Sequence, residues 1–242
     1  MTAAAEPCDA LIVAHGAPAD PAPQEAALKA LALRVAPHLP PGWRVRGATL
    51  ASDGALEAAL DGLRAPLIYP VFMAEGVFTG TLLPRRLKAA GAGRARQLPP
   101  LGTDPTLPAL MADVALAAAR QADLTPADTT LLIAAHGSRI SRRSTDSTHA
   151  MVRALEPLTG FRRILAGFVE EPPFLADQAR GVTQGICLPF FALEAGHVLE
   201  DIPEALAEAG FTGPLLPPIG RHEKIPALIA AALLRATGQG AA

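Results

Sequence analysis

The chain has 242 residues, 50% of them apolar and 18% charged, and its formal net charge of −2 divides into +1 over residues 1–121 and −3 over residues 122–242. That composition fits a folded protein with substantial cores and excludes a disordered chain. The even charge excludes a basic tail or face built for nucleic acid.

No window reaches the roughly 18 unbroken apolar residues of a membrane span, and the opening MTAAAEPCDA lacks a basic start followed by an apolar core. Neither a membrane partner nor export is expected. Cys8 and Cys187 have no CxxC partner, which excludes a disulfide framework and a Cys-rich zinc site and makes a reducing cytoplasm the expected compartment. Cys187, inside GICLPFF, reads as a buried small hydrophobe.

Short continuous apolar runs alternate with longer Ala- and Leu-rich segments at helical spacing. In chain order, residues 1–122 predict strand 10–14, helix 22–36, strand 44–50, helix 54–63, strand 66–72, helix 82–90, strand 95–98 and helix 106–120. Residues 123–242 predict strand 130–135, helix 143–156, strand 162–169, helix 173–180, strand 184–191, helix 200–209, strand 214–216 and helix 224–236. Such alternation means parallel strands with helical crossovers on both faces, an α/β doubly wound sheet, with ligand sites beyond the C-terminal strand ends.

The two lists match because the sequence repeats itself. Leu11-Ile-Val-Ala-His15-Gly16 recurs as Leu132-Ile-Ala-Ala-His136-Gly137, and Tyr69-Pro70-Val-Phe72 as Leu188-Pro189-Phe-Phe191. Pro84 matches Pro203, Leu98-Pro-Pro-Leu-Gly102 matches Leu216-Pro-Pro-Ile-Gly220, and Leu107-Pro-Ala-Leu110 matches Ile225-Pro-Ala-Leu228. Offsets of 118 to 121 residues in unchanged order make this a duplication of a whole domain, and two similar domains, 1–122 and 123–242, are expected.

Duplication allows one copy to be read against the other. The second copy carries His136, Glu170 and His197 at three strand ends; the matching positions of the first are His15, Ala51 and Phe78. Two imidazoles and a carboxylate at one sheet edge suit a divalent metal, and histidine also moves protons near neutrality. Glu171 is an alternative acid to Glu170, and Glu194, three residues before His197 and matched by Glu75, is a partner candidate for that histidine. Ser138-Arg139-Ile-Ser-Arg142-Arg143 follows the strand end directly and offers guanidiniums to carboxylates; Arg85 and Arg86 are weaker candidates of the same kind.

Other fragments lead nowhere. His222-Glu223-Lys-Ile-Pro226 starts like a zinc-protease motif but has proline where the second histidine belongs, and Gly91-Ala-Gly93 lacks the third glycine of a dinucleotide loop. His38 and His149 read as surface residues. Hydrolysis by Ser138 with His136 lacks a GxSxG elbow.

Ala135-His136-Gly137-Ser138, Phe168-Val-Glu170 and Pro189-Phe-Phe-Ala-Leu-Glu194-Ala-Gly-His197-Val-Leu-Glu-Asp-Ile-Pro203 together resemble the CbiX/SirB sirohydrochlorin chelatases, in their long two-domain, ATP-independent form. The resemblance implies insertion of Fe2+ to make sirohaem, or of Co2+ toward cobalamin, with the metal as a substrate and no resident cofactor. A non-catalytic metal or tetrapyrrole carrier is a third reading. The resemblance carries metal binding and proton transfer to His136, His197 and Glu170; from the residue types, tetrapyrrole binding is expected at Ser138, Arg139, Arg142, Arg143, Glu194 and His15. Phe78 departs from the histidine pair that several long members carry in their first copy, which points to the second copy as the active one. The lack of a GxxxxGK[ST] loop agrees with independence from ATP. A duplicated chain working as a monomer would replace a dimer of single domains.

Overall fold

The strand β1 (Asp9–Ala14) is buried along all six residues and lies at the centre of a parallel sheet of order β2-β1-β3-β4, with β2 Arg44–Thr49, β3 Leu67–Pro70 and β4 Arg96–Gln97. The structure, a computed structural model, describes residues 8–138 and 142–239. A strand buried on both faces must be apolar throughout, as DALIVA is after its first residue. Asp9 is the exception, and Arg44 at the adjacent strand start neutralises it through two hydrogen bonds of 2.6 and 2.7 Å. One face of the sheet, including Leu11 and Val13, packs on α2 (Ala55–Leu60) and α3 (Leu83–Ala89). On the other face α1 (Pro21–Val35) crosses β1 and β2.

The second sheet repeats this plan. β5 (Thr130–Ala135), again wholly buried, lies between β6 (Arg163–Phe168) and β7 (Gly185–Pro189), all parallel. Leu132, Ala134 and Cys187 pack with Leu175 and Ala179 of α6 (Leu175–Ala179) and with Ile202 and Leu206 of α7 (Ile202–Glu208). Burying each such leucine or isoleucine contributes about 1.5–3 kcal/mol. α5 (Arg143–Thr159) covers β5 and β6. The strand expected at 214–216 contracts to one bridge between Leu215 and Cys187, because Pro214, Pro217 and Pro218 supply no N–H to a ladder.

The alternation and the duplication hold, but the division at residue 122 does not. The chain forms one unit from residues 1–104 with 223–242 and another from residues 105–222. Helix α4 (Leu107–Gln121) packs on α5 and β7, and α8 (Ile225–Thr237) packs on α1 and β3. The final helix of each copy has been exchanged. Their matching Leu/Ile-Pro-Ala-Leu starts make the two helices near-equivalent occupants of one kind of groove, the condition under which swapping costs little. Two contacts fix α8 in its unit: Arg235 pairs with nearly buried Asp104 at 2.7 Å, and Arg96 donates to the Ala236 carbonyl at 2.8 Å.

Candidate metal-transfer site

In each copy the central strand ends in His-Gly, and the glycine is required. Gly16 and Gly137 have φ of +81° and +75°, and a Cβ on Gly137 would come within 2.9 Å of the Glu171 Cγ and 3.0 Å of the Phe168 Cβ. The same atom on Gly16 would meet Thr49 and Ala51 at 2.8 Å. The turn sends each histidine back over its own backbone: His15 Nδ1 lies 2.7 Å from the Gly16 carbonyl and His136 Nδ1 2.8 Å from the Gly137 carbonyl. A carbonyl oxygen only accepts, so Nδ1 carries the proton and a neutral ring keeps its lone pair at Nε2.

The pairing of Glu170 with Ala51 is visible in the backbone. The Glu170 N–H donates to the His136 carbonyl at 2.9 Å, and the Ala51 N–H to the His15 carbonyl at 2.8 Å. Its neighbour Glu171 is committed elsewhere: the carboxylate accepts from the Ser138 N–H at 2.8 Å and from the Thr145 hydroxyl on α5. Glu171 braces the loop that carries His136.

His197 reaches the same place from β7 through a π-helical turn, His197–Asp201, that runs without a break into α7. Pro203 explains the turn. A proline inside a helical run has no N–H to give and crowds the carbonyl four residues back; the preceding Ile202 N–H instead bonds five residues back, to the His197 carbonyl. Pro84 does the same in the first copy, where Leu83 bonds to Phe78 across the turn Phe78–Leu82. The helices expected at 82–90 and 200–209 therefore begin several residues earlier in spirals of another pitch.

These connections bring His136 and His197 together. Their ring centroids are 4.5 Å apart and their planes cross at 87°. His197 Nδ1 lies 2.5 Å from Asp201 Oδ2, so this ring too has Nε2 unengaged by that contact. Phe191 flanks His136 at 6.5 Å between ring centroids. In the first copy His15 meets Phe78 at 4.2 Å and 87°, and Phe72 stacks behind at 6.3 Å.

Several expected placements change. His136, Glu170 and His197 do not form one ligand cluster: among the described residues no three His, Cys, Asp or Glu side chains are grouped to hold an ion. The sheet order supplies the reason, because β6 and β7 flank β5. Their ends stand two strand spacings, roughly 10 Å, apart. Glu194 turns to Arg221 in an ion pair, not to His197. The carboxylate on His197 is Asp201, which sequence reasoning missed although His-x-x-x-Asp spacing is a helical pairing signal.

Arg142 and Arg143 are exposed at the start of α5, and Ser138 is half-buried with its N–H on Glu171. Arg139 lies outside the described residues. His149 is half-buried, edge-on to Phe168 at 5.7 Å, rather than a surface residue. Cys187 is fully buried as expected, and burial pushes its thiol up to about 12. No helix among the described residues is long and apolar enough to cross a membrane.

Comparison with known proteins completes the picture. The CbiX family model matches residues 130–236. A solved structure of CbiX, described as the terminal enzyme for biosynthesis of siroheme in denitrifying bacteria, is 50% identical over 94% of this chain and 99% of that one, with a TM-score of 0.86. A multi-domain Deinococcus radiodurans protein with structural similarity to chelatases matches at 23% identity and TM-score 0.66, over 94% of this chain and 54% of its own. SirB from Bacillus subtilis, solved with Fe3+, matches at 15% identity and TM-score 0.70, over 96% and 98% of the two chains. These last two show the shared fold. No curated protein matches.

Proposed function

The chain belongs to the CbiX family, and from that premise we propose that it inserts Fe2+ into sirohydrochlorin to form sirohaem without ATP, using the histidine pair of its second copy. The observation that carries this reading is the contact of His136 and His197 with both Nδ1 atoms committed to acceptors, which leaves two Nε2 lone pairs on neighbouring rings. Neutral imidazole is a good ligand for Fe2+ and Co2+. A two-histidine seat holds a passing ion more loosely than a closed four-ligand cage, as a site that must release its metal requires.

Insertion exchanges one dication for two pyrrole N–H protons. Once the metal has left for the ring, the vacated Nε2 atoms of His136 and His197 can accept those protons, so the charge in the site changes little. Glu170, at the end of the neighbouring strand, would approach only when a cation draws it in. Arg139, Arg142, Arg143 and Ser138 would bind the carboxylate arms of the tetrapyrrole. His15 would line the site of the first copy without binding metal.

The choice of Fe2+ follows the 50%-identical relative, described as making siroheme; ligand type alone suits Co2+ equally. The deciding experiment is anaerobic metallation of sirohydrochlorin by the purified protein, with Fe2+ and Co2+ in parallel and no ATP, followed by absorbance. Faster turnover with Fe2+ is expected. Turnover with Co2+ alone would move the protein to the cobalt branch, and stoichiometric binding without turnover would make it a carrier.

A further inference from the structure

Three histidines, two at strand ends and one on a π-helical turn, set Nδ1 against an acceptor in two different ways. His15 and His136 use the carbonyl of the following glycine, a device made of backbone and preserved in both copies. His197 alone depends on a side chain: its Nδ1 lies 2.5 Å from Asp201 Oδ2, both groups being partly exposed on the same π-helical turn. A free histidine ring in water favours the other tautomer, with the proton on Nε2, where it would block the lone pair that a metal needs. A carboxylate can only accept, so it reverses that preference.

The first copy supplies an internal control. Its π-helical turn, Phe78–Leu82, keeps the same backbone path, and the positions matching His197 and Asp201 are Phe78 and Leu82. Histidine and aspartate are either both present or both absent, although each could have been replaced alone. The backbone turn survives without them, so Asp201 is not needed to build it.

We propose that Asp201 is a positioning residue: it holds His197 as the Nδ1–H tautomer and fixes the ring so that Nε2 faces the incoming ion. This rests on the chelatase reading for its consequence, but the tautomer it assigns is a property of the metal-free protein.

The test uses the full chain with D201L, which installs the first copy's residue, and D201N and D201E. Long-range 1H–15N correlation of metal-free protein at about pH 8, where ordinary imidazoles are mostly neutral, reads the tautomer of His197, assigned by its loss in H197A. Steady-state metallation reads kcat and KM. The wild type is expected to show Nδ1–H. D201L should move the population toward Nε2–H and lower kcat roughly 10- to 100-fold with the KM for tetrapyrrole little changed. D201E should regain part of both. If D201L is poorly folded, D201N, which keeps shape and loses charge, is expected to fall between them. An unmoved tautomer in D201L, or a wild-type kcat there, would overturn the proposal. A wild-type protein that metallates nothing would refute the chelatase reading while leaving the tautomer assignment to be judged by the spectra alone.

Discussion

Phe78 stands edge-on to His15, with ring centroids 4.2 Å apart and planes crossing at 87°, in the arrangement that His197 adopts toward His136. The two copies are built alike around these rings: the same glycine, the same imidazole–carbonyl contact, the same π-helical entry before a proline. What differs is whether the second ring has a nitrogen. One copy keeps a histidine pair, and the other keeps its shape with an apolar ring in place of the second histidine.

That difference predicts unequal effects of alanine substitution. His136→Ala and His197→Ala should each abolish sirohydrochlorin metallation, whereas His15→Ala should lower it only a few-fold. None of the three side chains is a buried core residue, so the melting temperature should move little, within the roughly 0.5 kcal/mol typical of surface changes. Full metallation by His197→Ala, measured with Fe2+ and without ATP, would remove the second copy from the chemistry.

The same comparison predicts how a second seat can be built. Phe78→His combined with Leu82→Asp copies the His197–Asp201 pair onto a turn of matching backbone. The double variant should bind additional Co2+ by calorimetric titration, and Phe78→His alone should bind it more weakly, lacking the carboxylate that orients the new ring. Equal uptake by the single and double variants would mean that the carboxylate has no orienting role.

Much of this is legible in the sequence. The alternation of short apolar runs with Ala/Leu-rich segments fixes parallel strands and crossover helices, and the recurrence of His-Gly places two imidazoles at strand ends. The exchange of α4 and α8 was hidden because their apolar faces match: periodicity shows that a helix must cover a sheet, not which of two similar sheets. Asp201 escapes because the expected helix starts at residue 200 and leaves His197 outside it, so the His-x-x-x-Asp spacing does not read as helical; the π-helical turn before Pro203 puts both residues on one helical run. Glu171 could not be told from Glu170 by residue type, since two adjacent carboxylates at a strand end differ only in which one the loop folds back to bind.

Glu171 therefore has a stability role that can be measured apart from activity. Its carboxylate accepts from the Ser138 N–H, two residues beyond His136, and from the Thr145 hydroxyl on α5. Glu171→Gln keeps one acceptor oxygen and should cost about 1 kcal/mol; Glu171→Ala leaves both donors without their partner and should cost about 2 kcal/mol. Denaturant unfolding reads the difference. Metallation should fall further in Glu171→Ala than in Glu171→Gln, because the His136 loop loses its brace. The reverse order, with Glu171→Gln the less active, would mean that the negative charge acts on the metal directly.

The buried thiol of Cys187 makes stability depend on alkaline pH with a definite sign. Burial raises its pKa from 9.0 to about 12 in the folded chain. Below the unfolded value both states keep the proton and Cys187 contributes no pH dependence. As pH rises above it, the unfolded chain ionises first and gains relative to the folded one, so stability falls steadily until the folded thiol also ionises near the upper value. By about pH 10 the loss should be on the order of 1 kcal/mol. Burial also raises the Tyr69 hydroxyl, with Asp104 adding to the shift, so the wild type alone cannot isolate the thiol. Comparison with Cys187→Ala can, since Tyr69 is common to both. The variant starts lower, having lost a buried sulfur from the core against α6 and α7, but its stability should decline less between about pH 8 and 10. Parallel curves for the two proteins would show that the thiol ionises as readily in the folded chain as in the unfolded one.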